Sequence, residues 1–294
     1  MFFKGWLNIT GLFDKIKELL TATEDWVHVV TLSDRIALRH VPSNRYLTIQ
    51  RKIVSPNYHA GIQFILSSAF DYVNNQPTGS VKAVFAPLYY SSDSNKTNYF
   101  YNTYIISSIM TYPVTIWADR RGFLLVIQNP YSYSDGASLS VFVNVEYIPT
   151  IHREYNDGME GFFMHAIRND FSFGTTTNGG LGTAHYCARD VALETQSRLF
   201  CLHQKKAFMS HGSGKIYFEF PTYYNDVEKM IVSANTKRWF LLENDPKVPP
   251  GFIVKWQDGQ TLRKFYIARV YPLNNPPSGV NVAIPYSNAY DYPE

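Results

Sequence analysis

Cysteine is nearly missing: the chain of 294 residues has two, Cys187 and Cys201. That excludes a disulfide-stapled scaffold and suits a protein that folds and assembles in a reducing cytoplasm. Long hydrophobic runs are missing as well, since no stretch approaches the ~20 apolar residues that a membrane-crossing helix needs. The opening Met1-Phe2-Phe3-Lys4-Gly5-Trp6 has neither the basic start nor the small-residue cleavage site of a secretory leader. No membrane insertion and no export are expected. Runs of positive charge are scarce too. Gln50-Arg51-Lys52, Gln204-Lys205-Lys206 and Lys237-Arg238 are too short to track a phosphate backbone, and with a net charge of +3 they read as solvated faces. No nucleic acid is expected as a partner.

The signatures of catalysis are also lacking. There is no GxSxG nucleophile elbow, no HExxH, and no papain-like cysteine context. Gly212-Ser213-Gly214-Lys215 resembles the tail of a phosphate loop, but Ile216 stands where a hydroxyl should hold magnesium, so it reads as a turn entering a strand. The Gly/Thr-rich residues 174–183 lack the strand-GxGxxG-helix order of a dinucleotide site. Glu154, Asp157 and Glu160 lie close in sequence and read as solvated acids. His185-x-Cys187 and Cys201-x-His203 form a mirror pair with the right ligand types for zinc. Paired zinc ligands usually stand two to four residues apart to share a tight turn, so packed thiols and imidazoles account for the pattern better. The expectation is a chain that is not an enzyme and holds no cofactor and no metal.

What the sequence does have is aromatic residues, 16% of the chain with 22 Tyr and 20 Phe, within a 45% hydrophobic composition that can bury a core. The clearest structural signal is residues 112–134. Two β-branched and aromatic runs, 114–118 and 123–128, flank Asp119-Arg120-Arg121-Gly122, which predicts a hairpin. The second run is apolar at five consecutive positions, so the hairpin is expected inside a sheet, with a third strand at 139–148. Upstream, a helix over 11–22, capped by Asn8 or Thr10, precedes a meander at 26–32, 35–40 and 46–52. Residues 71–80 read as a loop and 81–90 as extended. The charged, glycine-bearing residues 149–161 read as a joint between lobes, and 226–234 as a short helix.

Residues 57–71 (NYHAGIQFILSSAFD), the lead-in Ala86-Pro87-Leu88-Tyr89-Tyr90 and the strand, Arg-bearing turn and Leu/Val/Ile strand of the hairpin carry a resemblance. Together with the Tyr/Ser-rich loop and the aromatic strand that follow, they resemble a family of virion structural proteins of tailed bacteriophages. The likeness spans residues 6–149. It implies a structural component of the tail, baseplate or neck, located in the virion and assembled as a ring or as copies around the tail axis. Its partners would be copies of itself and other virion structural proteins, with host-surface contact in addition.

The expected fold is β-dominated α+β: a helix on an antiparallel sheet over residues 1–150, a second β-rich lobe over 161–272, and an extended C-terminal arm over 273–294. Aromatic residues in segments expected to be exposed are the interface candidates: Phe2, Phe3, Trp6, Tyr131, Tyr133, Tyr286, Tyr290 and Tyr292. The rival functions are a host-surface module whose aromatic side chains stack on sugar rings and a cell-wall hydrolase.

Overall fold

Local sequence sets most of the architecture. The computed structural model describes residues 1–54, 59–91, 93, 95, 109–131, 137–138, 140–153, 156–168, 185–188, 197–200, 206–211, 214–219, 222–225, 230–232, 238–242, 248–258, 260–269 and 281–286. Strand β1 (Phe2–Leu7) leads into helix α1 (Ile9–Thr21). Then come β2 (Trp26–Thr31), β3 (Arg35–His40), β4 (Arg45–Val54), β5 (His59–Asp71) and β6 (Gln76–Tyr90). After them are β7 (Tyr112–Asp119), β8 (Gly122–Ile127), β9 (Ala137–Ser138), β10 (Val141–Arg153), β11 (Asn156–Arg168) and β12 (His185–Ala188). The remainder contributes β13 (Ser197–Phe200), β14 (Lys206–His211), β15 (Gly214–Glu219), β16 (Thr222–Asn225) and β17 (Met230–Val232). The last strands are β18 (Phe240–Leu242), β19 (Ile253–Asp258), β20 (Thr261–Arg269) and β21 (Asn281–Pro285). The class is β-dominated α+β, with antiparallel pairing throughout the described strands.

Three sheets stack in layers. The first runs β2-β3-β4-β5-β6-β9 and contains the predicted meander; the second runs β1-β7-β8-β10-β11-β12. Their inner faces make one core, with Leu47, Ile49, Ile62 and Phe64 meeting Val114, Ile116, Leu125 and Val143. Helix α1 closes this core. Asn8 caps it as expected, its side chain accepting from the Gly11 N–H at 2.7 Å. Ile9, Leu12, Phe13, Ile16, Leu19 and Leu20 are buried, each worth about 1.5–3 kcal/mol of gross transfer energy. Lys15–Glu18 and Lys17–Asp14 pairs occupy the solvent side.

The third sheet, β14-β15-β18-β21-β20-β19, covers the opposite face of the second. This explains the doubly apolar hairpin. Ile116 and Ala118 of β7 join the first core, while Trp117, on the alternate face, lies under the Arg238 guanidinium. Farther along, Phe142 meets Trp239 with ring centroids 4.7 Å apart. The hairpin is tighter than the predicted four-residue loop: Asp119 pairs with Gly122 and only Arg120 and Arg121 lie between. Gly122 has φ +143° and a Cβ there would sit 2.1 Å from the Val145 carbonyl oxygen, so the position requires glycine. A small sheet, β13-β16-β17, completes the described strands.

Four sequence expectations need correction. The 149–161 joint is the end of a long hairpin, because β10 pairs with β11, and Phe162 and Met164 enter the first core rather than starting a separate lobe. Charged residues and glycine mark a hairpin tip as readily as a linker. Residues 76–80 of the expected 71–80 loop belong to β6, the turn itself being Tyr72–Asn75. Within the expected 226–234 helix, Met230–Val232 is a strand paired with β16. Inside the expected arm, Asn281–Pro285 is a fully buried strand paired with both β18 and β20. The flanking prolines hid it, yet Val282, Ala283 and Ile284 supply the apolar run that an interior strand needs. The rest of 273–294, except Tyr286, lies outside the described residues.

Candidate functional site

Strand β1 is the edge of the second layer and alternates its faces. Phe3 packs against the first core, with the Lys15 ammonium 5.1 Å from its ring centre. Phe2 points to the third layer, where its ring lies 5.5 Å from Tyr266 and 5.0 Å, edge-on, from Tyr286. Lys4 shares that side, its ammonium 5.0 Å over the Tyr266 ring. Trp6, next along, is 60% exposed.

Between this edge and the third layer opens a cleft of about 500 Å³, within the size range of ligand and peptide sites. Lys4 and Trp6 form one rim. Thr115 and Gln128 line the second-layer side, and Tyr266 and Arg269 the third-layer side. Gln128 ties the two layers together, its amide donating to the Arg269 carbonyl at 3.1 Å. Lys4 and Arg269 give the lining positive charge, and among the described residues it includes no carboxylate.

The other candidates divide. Tyr286 stands beside the cleft at 39% exposure, its N–H donating to the Lys264 carbonyl at 3.0 Å. Tyr131 is half-buried, its hydroxyl donating to the Thr111 carbonyl at 2.6 Å and its ring edge-on to Tyr112. Thus Phe2 and Tyr286 come together, Trp6 lies farther along the same face of β1 at the cleft rim, and Phe3 and Tyr131 serve the interior of the first two layers. Tyr133, Tyr290 and Tyr292 lie outside the described residues, as do residues 174–183. Of the mirror pair, His185 and Cys187 belong to β12, while Cys201 and His203 fall outside the description. Among the described residues no three His, Cys, Asp or Glu side chains converge as metal ligands would.

A second exposed feature lies on the first layer. β5 and β6 continue to pair beyond Ser67, where β4 ends its pairing at Tyr46, so the hairpin overhangs the sheet. Its turn presents Tyr72 at 60% and Val73 at 88% exposure. The support beneath is stiff. Asp71 accepts from the Val73 and Asn74 N–H groups at 2.8 and 3.1 Å and from the Asn74 side chain at 2.7 Å. Those bonds, the Asn74 side chain's first, hold the Asp71 carboxyl below its usual range, so the tip carries a negative charge. Asn75 takes the left-handed conformation that closes the turn, with φ 53°. Phe70 and Tyr72 pack on Tyr46, the two tyrosine hydroxyls 3.1 Å apart.

Several buried polar groups escaped the sequence reading, among them Arg51, expected on a solvated face but buried and donating to the Thr10 hydroxyl. Arg238, expected on a solvated face, is fully buried, reaching Asp119 at 2.7 Å and Glu146 at 3.2 Å. The apolar Trp239-Phe240 that follows it was the available signal. His40 is buried among Trp26, Tyr147 and Phe162, with ring centroids 4.8, 4.5 and 5.1 Å away, and its Nδ1 meets the Ser43 hydroxyl at 2.8 Å. Burial pushes its pKa down to about 4, against a smaller opposing pull from the Arg120 backbone. No family model, no curated protein and no solved structure matches this chain.

Proposed function

We propose that this chain is a structural component of a tailed-phage particle, in the tail, baseplate or neck, that acts by packing against other chains without turnover. The observation that carries the reading is the presentation of large apolar side chains on stiff supports: Trp6 on a paired strand, and Tyr72 and Val73 on a braced turn. Side chains already fixed in place lose little entropy when a partner covers them, which favours packing surfaces. The resemblance over residues 6–149 supplies the setting.

Sedimentation velocity of the purified chain tests the self-association this requires. The expected result is an average mass that rises with concentration, reversibly and without added ligand. A single species of one-chain mass at every concentration would count against copies of itself as partners. A second reading, a host-surface carbohydrate-binding module, draws on the open Trp6 indole, whose flat face suits a sugar ring. Quenching of native fluorescence by soluble oligosaccharide, absent in Trp6→Phe, would favour it.

A further inference from the structure

We infer that the hairpin tip of one copy, Tyr72 and Val73, seats in the cleft beside Trp6 of the next copy, making a head-to-tail contact. The inference rests on the assembly reading and names the surfaces that would carry it. Three observations converge. The tip is convex, apolar and held from behind by Tyr46, and the cleft is concave with an exposed indole on its rim. A cleft of about 500 Å³ has room for a few side chains and not for a domain. The charges also match. The Asp71 carboxylate stands at the base of the tip, with the Arg39 guanidinium set behind it on the Tyr46 hydroxyl, while Lys4 and Arg269 line the cleft.

The two surfaces belong to different parts of the fold. The tip rides on the first layer, whereas the cleft opens between the second and third, and the Tyr46 contacts keep the tip on its own layer. Such a contact is heterologous: each copy offers a tip to one neighbour and a cleft to the other. It closes into a ring if the rotation per copy allows and otherwise grows as a filament.

A mixing experiment tests this geometry. Val73→Lys places a cation on the tip against the basic cleft, and Trp6→Ala removes the rim; both positions are exposed, so thermal unfolding midpoints should stay near native. Each variant alone is expected to need at least about tenfold more protein for half-association than the native chain. Mixed in equal amounts, they are expected to form one-to-one pairs and stop there, because the intact tip of Trp6→Ala meets the intact cleft of Val73→Lys. Lys4→Glu is a second cleft variant, expected to weaken association alone and to restore it when combined with Val73→Lys.

If both single variants associate like the native chain, the contact lies elsewhere; this inference falls and the assembly reading stands. If the mixture shows no pairing although each variant alone has lost association, the head-to-tail geometry is wrong. A native chain that stays monomeric and binds oligosaccharide through Trp6 overturns the inference and the assembly reading together.

Discussion

Replacing Arg238 by alanine is expected to destabilise the fold by about 3–5 kcal/mol, the usual cost of stranding buried charge. Its guanidinium bridges carboxylates from two strands, Asp119 at the end of β7 and Glu146 on β10. Both pair with Gly122 of β8, so the two acids lie in one row across the sheet. Glu146 is held further by the Asn144 side chain, which donates to it at 3.3 Å. The guanidinium also lies 4.9 Å over the Trp117 ring, and the next residue, Trp239, packs at a tilt against Phe142. Arg238 therefore pins the third layer to the second. Alanine would remove the cation that the two carboxylates share, at a site where the Glu146 side chain is almost fully buried. The combined variant Arg238→Met, Asp119→Asn, Glu146→Gln removes the charges together and is expected to recover most of the loss, because desolvating the ions is itself costly. Urea unfolding followed by circular dichroism reads both. A loss below about 1 kcal/mol for Arg238→Ala, the range of surface pairs, would show that the cluster is solvated.

Acid is expected to weaken the fold through His40. The folded chain keeps this ring neutral until the pH nears 4, whereas the unfolded chain takes up the proton near the ordinary 6.5. Within that window the unfolded state binds more protons, so the contribution is intact above it and is lost as pH falls through it. The separation corresponds to about 3 kcal/mol at the acid end. The cause is the setting: Trp26, Tyr147 and Phe162 surround the ring and keep water from it, against the smaller opposing pull of the Arg120 backbone. His40→Phe keeps a ring in the cage and is expected to flatten the pH dependence across the window, at some constant cost from losing the Ser43 bond. Urea midpoints measured at several pH values check this. Equal acid slopes in the native chain and His40→Phe would place the sensitivity in other groups.

Much of the fold was legible because its signals are local. The helix carries its cap and apolar spacing within residues 8–21, and the central hairpin carries its turn between its own strands. Strand β21 was not legible, because prolines on both sides masked a short apolar run whose partners, β18 and β20, come from elsewhere in the chain. Arg238 and His40 failed for a related reason. Whether a charge or an imidazole is buried depends on what the fold brings to it, and Asp119 lies 119 positions from Arg238.

The candidate site divides the same way. Phe2, Trp6 and Tyr286 can be picked out by residue type; the structure brings Phe2 to Tyr286 and sets Trp6 on the cleft rim. The cleft itself could not be, since its walls are assembled from β1, β7, β8 and β20. Asn74 and Asn75 announce a turn at the tip; what sequence alone does not show is that Tyr46 braces it.

The central claim, that this chain works as a building part of a particle, is met most directly by counting it there. Particles purified by density from the lysate in which the chain is made would be washed, quantified by isotope-dilution mass spectrometry and imaged by cryo-electron microscopy. The account predicts the same whole number of copies per particle in every preparation, with density for its three sheet layers in the tail, baseplate or neck. Recovery of the chain only from the soluble fraction, with none in washed particles, would contradict it.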